Sequence, residues 1–157
     1  MMHCESIKNF AISIPKGKSL LGIDYGTGKI GLSISDDGLL FAMPYDVINN
    51  NKAHSGTEAI ADLIKKRDVG GVVIGYPLEL SGREGEACKH VAEFMRALEK
   101  KIPDNVAWFY QDERLSTRAV RRFLDDSSLS RKKKDSIDDK LAACNILQTT
   151  LDLLRSL

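Results

Sequence analysis

The sequence predicts an α/β protein with a mixed five-stranded sheet that carries helices on both faces. Near the start, apolar runs follow one another with short connections, which is typical of an antiparallel meander. Later apolar runs are separated by stretches of helical periodicity, which is typical of parallel strands joined by helical crossovers. One later run, "GGVVIG", is apolar throughout, as expected of a strand buried on both faces.

The predicted meander consists of three consecutive segments. The first strand, "LLGID", covers residues 20–24. The second, "KIGLSIS", alternates Ile30, Leu32 and Ile34 with small residues, which is the period of a strand with one buried face. The turn signal "DDG" then precedes the third strand, "LLFAMPYDVI".

The remaining segments alternate between helix and strand, giving the order βββαβαβαα. Apolar residues recur at helical spacing in two segments, "TEAIADLIKKRD" and "ACKHVAEFMRALEKK". Each is followed by a predicted strand, first "GGVVIG" and then "NVAWFYQ". The chain should end with a short helix, "STRAVRRFLDD", a polar basic loop, "SSLSRKKKDS", and a long amphipathic helix from Ile137 onward.

Length and composition predict one domain. The 157 residues can bury a substantial core, and we assign residues 20–157 to one domain that follows an N-terminal extension over residues 1–19. No apolar stretch approaches the roughly 20 residues of a membrane span, and the N-terminus does not resemble a signal peptide. The three cysteines lie far apart, which favours a reducing compartment. We therefore expect a cytoplasmic protein with no membrane partner.

The glycine-rich stretch that follows the first strand raises the question of why Asp24 precedes it. "GTGKIG" matches a dinucleotide-binding pattern literally, but that pattern requires a following helix, and a strand pattern follows here. A tight hairpin explains Gly26 and Gly28. It does not explain a carboxylate at the end of a buried strand, which is costly without a partner. A Mg²⁺ ligand at Asp24 is the third interpretation.

Two other acidic motifs could complete such a metal site. In "QDERLS", Glu113 follows a predicted strand, at the sheet edge where ligands bind in open α/β folds. In "SIDDKLAA", we favour Asp139 over Asp138 because Asp139 shares a helical face with small residues that allow close packing on the sheet. The alternatives remain a surface ion pair for the first motif and favourable helix-start charges for the second.

Four motifs occur in order and together resemble one protein family. They are "GIDYGTGKIGLSISD", "VVIGYPLELSGREGE", "DERLST" and "DDKLAACNILQTTLD". The chain resembles the YqgF (RuvX) family of bacterial Holliday junction resolvases over residues 20–154. That family is also implicated in maturing the 5′ end of the small-subunit ribosomal RNA precursor. The resemblance implies a ribonuclease H-like fold, related to RuvC-type resolvases, and phosphodiester hydrolysis with carboxylate-bound divalent metals.

The resemblance also implies which residues form the site. The three acidic positions of the family fall on Asp24, Glu113 and Asp139, which would be both catalytic residues and ligands of Mg²⁺ or Mn²⁺. Asp112 is an alternative or supporting ligand, and Asp138 is a candidate for the outer shell. In a two-metal mechanism, Asp24 would bridge the ions. The chain departs from the family pattern in two places, "GK" in place of a basic pair and "GYP" in place of "GLP", which concern substrate contacts.

Basic residues near these motifs predict a nucleic-acid partner, although the net charge is only +1. They lie beside two of the acidic residues, in the loop after "GGVVIG", and before the last helix. The candidates for contact with a phosphate backbone are Lys29, Arg83, Arg114, Arg118, Arg131, Lys132 and Lys133. For the "RKKK" run, a solvated surface loop is the alternative.

Taken together, the residues and the resemblance predict a metal-dependent endonuclease that processes the 5′ end of the 16S ribosomal RNA precursor, as a monomer or weak homodimer. The alternatives are a resolvase of four-way DNA junctions and a non-catalytic nucleic-acid-binding module. A transcription-associated role is also open. "GIDYGT" further resembles the opening of actin-like ATPases, but those proteins enclose ATP between two domains, and this chain has the length of one.

Overall fold

The computed structural model describes residues 1–51, 55–114 and 131–157, with only the backbone described at residues 55 and 131–138. The strands are β1 (Met2–Cys4), β2 (Leu20–Asp24), β3 (Lys29–Ser35), β4 (Ala42–Asn49), β5 (Gly71–Tyr76) and β6 (Ala107–Asp112). The helices are α1 (Ile7–Ser13), α2 (Ser55–Lys66), α3 (Glu86–Glu99) and α4 (Arg131–Arg155).

The strands form one mixed sheet in the order β1-β6-β5-β2-β3-β4. Strands β2, β3 and β4 pair antiparallel, as the meander prediction requires. Strands β5 and β6 lie parallel to β2, on its other side. The predicted α/β class and mixed sheet are therefore confirmed, with β2 at the centre.

The sheet has six strands within the described ranges, so the prediction of five was wrong. The additional strand, β1, lies in the predicted N-terminal extension and pairs parallel with β6. Helix α1 follows it, and Phe10 of this helix is fully buried. A strand of three residues shows no periodicity, and α1 has only seven residues, so the sequence pattern of residues 1–19 gave no signal of either element. Residues of this segment thus pack on β6 and in the core around Phe10.

Helices cover both faces of the sheet, and the alternation of strand side chains separates two cores. On one face, α2 and α3 pack on Leu21, Ile23 and Ile74. On the other face, α1 and α4 pack on Leu20 and Val73. Since β2 residues 20, 22 and 24 share a face, the carboxylate at the end of β2 lies on the side of α4.

Helix α4 begins at Arg131, six residues before the predicted start at Ile137. Residues 131–136, predicted to be part of a loop, are helical because lysine and arginine are good helix formers and a basic run does not end a helix. The predicted short helix over "STRAVRRFLDD" lies outside the described residues. No helix in the described ranges has both the length and the apolar character needed to cross a membrane.

Small residues let α4 approach the centre of the sheet closely. The Ser33 hydroxyl on β3 donates a hydrogen bond of 2.7 Å to the Ala143 carbonyl on α4. A Cβ atom on Gly22 would lie 2.8 Å from Cβ of Leu147, which is closer than packed carbon atoms approach. This close packing agrees with the prediction that small residues on the helical face of Asp139 let the helix approach the sheet. It places the first half of α4 beside the end of β2.

Candidate active site

Asp24 is the last residue of β2 and lies between two glycines on the neighbouring strands. Its partner on β3 is Gly31. On β5, Ile74 pairs with Ile23, so Gly75 is the next residue along beside Asp24. Because neither glycine carries a side chain, the sheet surface on both sides of the half-buried Asp24 carboxylate is open to groups from β6 and α4.

Glu113 fills the space above Gly75. It follows the last residue of β6, and its backbone N–H donates a hydrogen bond of 3.2 Å to the Tyr76 carbonyl. A Cβ atom on Gly75 would collide with the Glu113 carboxyl group and would lie 2.7 Å from Cδ1 of Ile146. The Glu113 side chain is thereby directed towards β2, where it is hydrogen-bonded with Asp24.

The electrostatics of this carboxyl pair favour a proton or a cation between the two groups. Burial raises the pKa of Glu113, and the negative charge of Asp112 adds to the shift, whereas the hydrogen bond with Asp24 acts in the opposite direction. Two ionised carboxylates have no hydrogen to share, so a hydrogen bond between them requires that one be protonated. A divalent cation would offset the negative charge of both carboxylates without a proton.

Asp139 lies on α4 against the other glycine. Its backbone carbonyl contacts Gly31, the strand partner of Asp24, and its side chain is half-buried. In the described part of the chain, however, no three His, Cys, Asp or Glu side chains are grouped so that they could hold a metal ion. The structure thus brings Asp24 and Glu113 into contact and places the backbone of Asp139 beside them, and the described side chains form no three-carboxylate cluster. The side chain of Asp138 is outside the described residues.

Asp112 is engaged differently from Glu113. Its carboxylate accepts hydrogen bonds from the Arg114 backbone N–H at 2.9 Å and from the Arg114 guanidinium, with Nε at 2.8 Å and Nη2 at 2.7 Å. The Arg114 guanidinium holds the pKa of Asp112 below its usual range. In "DER", the ion-pair interpretation therefore describes Asp112, whereas Glu113 faces Asp24.

The predicted basic residues are distributed unevenly around this edge. Lys29 is exposed at the start of β3, five residues after Asp24. Arg83 forms an exposed ion pair of 3.1 Å with Glu79. In the same loop, a Cβ atom on Gly82, where φ is +86°, would lie 3.2 Å from Nη1 of Arg114. Arg118 lies outside the described residues, and for Arg131, Lys132 and Lys133 only the helical backbone is described.

Sequence reasoning missed the two glycines that shape the site, Gly31 and Gly75. The only sequence signal was a glycine inside each strand pattern, where glycine often marks a close approach by another group. Tyr76, which departs from the family pattern, packs its ring 4.2 Å from that of Tyr110. Tyr76 is partly buried beside the core, and burial and a hydrogen bond with Glu84 raise its pKa.

The donor atoms at this edge suit a hard divalent cation. Mg²⁺ prefers oxygen ligands, keeps several waters, and is commonly held by one or two carboxylates together with substrate phosphates. Asp24 and Glu113 could therefore hold one such ion with a bound phosphate, and the backbone of Asp139 lies beside Gly31, the strand partner of Asp24.

Comparisons with known proteins point to one protein family. A family model described as "RuvX: Holliday junction resolvase" matches residues 18–153. A protein of Roseobacter denitrificans named "Putative pre-16S rRNA nuclease" is 36% identical over 154 residues, which cover 98% of this chain and 94% of that protein. A protein of Rhodospirillum centenum with the same name is 37% identical over 160 residues, covering 98% and 84%. Among solved structures, Thermus thermophilus RuvC in complex with a Holliday junction substrate matches 87% of this chain and 96% of its own, with 12% identity and a TM-score of 0.48.

Proposed function

The chain belongs to the RuvX family of Holliday junction resolvases, and from this membership we propose that it is a metal-dependent endonuclease whose substrate is the 16S ribosomal RNA precursor. The RNA substrate is supported by the names of the relatives, because these proteins match the chain over nearly its whole length. The observation that carries the proposal is the contact between Asp24 and Glu113 at the carboxyl edge of the central strands. Cleavage of four-way DNA junctions is the second candidate, favoured by the description of the family.

In the proposed mechanism, Asp24, Glu113 and Asp139 would hold Mg²⁺ or Mn²⁺. The bound metal would supply an activated water and stabilise charge on the phosphate. The Asp24 and Glu113 carboxylates lie where they would face the scissile phosphate, and the glycines beside them leave room for it. Lys29 and Arg114 bind the flanking phosphate backbone. We further propose a cytoplasmic protein that acts as a monomer or weak homodimer.

The test compares cleavage of a labelled 16S precursor fragment and a labelled four-way DNA junction with Mg²⁺ or Mn²⁺. The variant is Asp24→Asn, and the matched control is Asp37→Asn, an exposed aspartate in the β3–β4 turn at the other end of the sheet. We expect metal-dependent cleavage by the wild type and Asp37→Asn, and its loss in Asp24→Asn. Equal cleavage by Asp24→Asn would contradict the proposed site. Cleavage of the junction alone would replace the RNA assignment.

A further inference from the structure

One buried amide connects the turn beside the site to two other elements. Asn50 follows β4, and only 8% of its surface is exposed. Its Nδ2 donates a hydrogen bond of 3.1 Å to the Gly26 carbonyl, and its backbone N–H donates one of 2.9 Å to the Gly28 carbonyl. Its Oδ1 accepts a longer bond of 3.4 Å from the Gly56 N–H in the first turn of α2. A buried amide that is bonded through both its nitrogen and its oxygen restricts the groups that it bonds.

The turn that Asn50 holds separates Asp24 from Lys29. A Cβ atom on Gly26 would lie 2.5 Å from the Lys29 carbonyl oxygen, so the chain closes tightly on itself here. Thr27 and Gly28 at its tip are exposed. Two carbonyls of this short turn, those of Gly26 and Gly28, are bonded by the single residue Asn50. The path from the end of β2 to the start of β3 therefore depends on a residue more than 20 positions away in the sequence.

Gly56 makes room for this arrangement. A Cβ atom on Gly56 would lie 3.2 Å from Oδ1 of Asn50 and 2.6 Å from Cδ1 of Ile30. Any larger residue would displace the amide or the Ile30 side chain. The start of α2 is thus packed directly on Asn50, which joins α2, the end of β4 and the β2–β3 turn at one point.

We propose that Asn50 is a positioning residue that fixes the spacing between Asp24 and Lys29, and thus presents Lys29 to a substrate phosphate. The inference rests on the proposed function, because it takes Lys29 as a contact of the nucleic-acid backbone. Loss of the Asn50 amide releases the Gly26 carbonyl and lets the turn move. Lys29 then contributes less to binding, although its charge is retained.

The experiment measures binding of a fluorescent 16S precursor fragment across a range of salt concentrations. The variants are Asn50→Ala, Lys29→Ala and their combination, and the control is Asn51→Ala, the exposed asparagine next in the chain. We expect Asn50→Ala and Lys29→Ala each to weaken binding about tenfold and to lower the salt slope by about one, as loss of one phosphate contact does. The double variant should bind no more weakly than Lys29→Ala alone, because both changes remove the same contact. Asn51→Ala should bind as the wild type does.

A structural role alone would predict a different result. Asn50→Ala would then melt at a lower temperature but keep the wild-type salt slope, and this outcome would overturn the inference, as would additive losses in the double variant. If Asn50→Ala fails to fold, Asn50→Asp serves instead, because it keeps the acceptor for Gly56 and loses the donor to Gly26. An RNA affinity that is unaffected by Lys29→Ala would overturn the proposed contact itself. A normal Lys29 effect with no effect of either Asn50 variant would overturn only the inference about Asn50.

Discussion

Replacement of Gly31 by alanine should inactivate the enzyme while leaving it folded. The new Cβ atom would collide with the backbone carbonyl of Asp139, which belongs to α4. A backbone atom within a helix cannot rotate away as the end of a side chain can, so α4 must move away from β3. The movement separates Asp139 from Asp24, the strand partner of Gly31.

The expected magnitudes for stability and rate differ. Overpacking of this kind costs about 1–3 kcal/mol, which a domain with a stability of about 5–15 kcal/mol survives. A displacement of about 1 Å within a catalytic arrangement can lower the rate about 100-fold. We therefore expect urea unfolding at a modestly reduced midpoint, together with a loss of about 100-fold in single-turnover cleavage of the RNA precursor.

The control is Gly38→Ala, in the turn at the opposite end of β3. A Cβ atom there would lie 3.0 Å from Oδ2 of Asp36, far from the site, so this variant should lose some stability but keep its cleavage rate. Folded Gly31→Ala that cleaves within about twofold of the wild-type rate would refute the reasoning. An equal loss of cleavage in Gly38→Ala would show that the rate follows stability, and not the position of α4.

Three further predictions concern charge, thiol chemistry and packing. Burial raises the pKa of Glu113, so its contribution to stability is present below the unfolded value of about 4.3 and is lost as pH rises through the folded value. Thermal melts without metal should thus show that Glu113→Gln is more stable than the wild type at neutral pH. Addition of Mg²⁺ at 100 times its Kd should stabilise the wild type by about 2.7 kcal/mol, and the absence of such a gain would argue against the metal site. Burial raises the pKa of Cys144 to about 11. At about pH 8, iodoacetamide should therefore alkylate Cys144 much more slowly than a free cysteine of pKa about 8.5, as followed by mass spectrometry, and an equal rate would disprove its burial. Phe10→Ala should cost about 3–5 kcal/mol in urea unfolding, whereas Ile12→Ala, at a residue 83% exposed, should cost little; equal costs would mean that α1 does not pack as described.

Sequence patterns predicted the parts of this fold that depend on periodicity. The alternation in "KIGLSIS" and the uniform apolar run "GGVVIG" both identified strands. The expected single buried face of β3 was wrong, because α4 packs on Gly31 and Ser33 and buries the second face as well. Strand β1 and helix α1 could not be predicted in this way, because their stability comes from β6 and from the core around Phe10. The basic start of α4 was interpreted as a loop because its charge was given more weight than its helix propensity.

The site was predictable to the extent that it depends on strand ends. Asp24 ends β2 and Glu113 follows β6. Both strands deliver their carboxyl ends to one edge, where the structure brings the two side chains together. The openings at Gly31 and Gly75 depend on which residues face each other across strands, and strand register cannot be read from one sequence. The same holds for Asn50, whose bonds join segments that are distant in the sequence.

The parallel pairing of β1 with β6 has a consequence for the time at which the enzyme becomes active during synthesis. Strand β1 can pair only after Ala107, the partner of Met2 on β6, has been synthesised, and Glu113 is added to the chain only a few residues later. Pairings between such distant residues slow folding, because the long intervening loop must close first. Asp139 on α4 is synthesised later still, so the proposed active site cannot assemble until nearly the whole domain has been made.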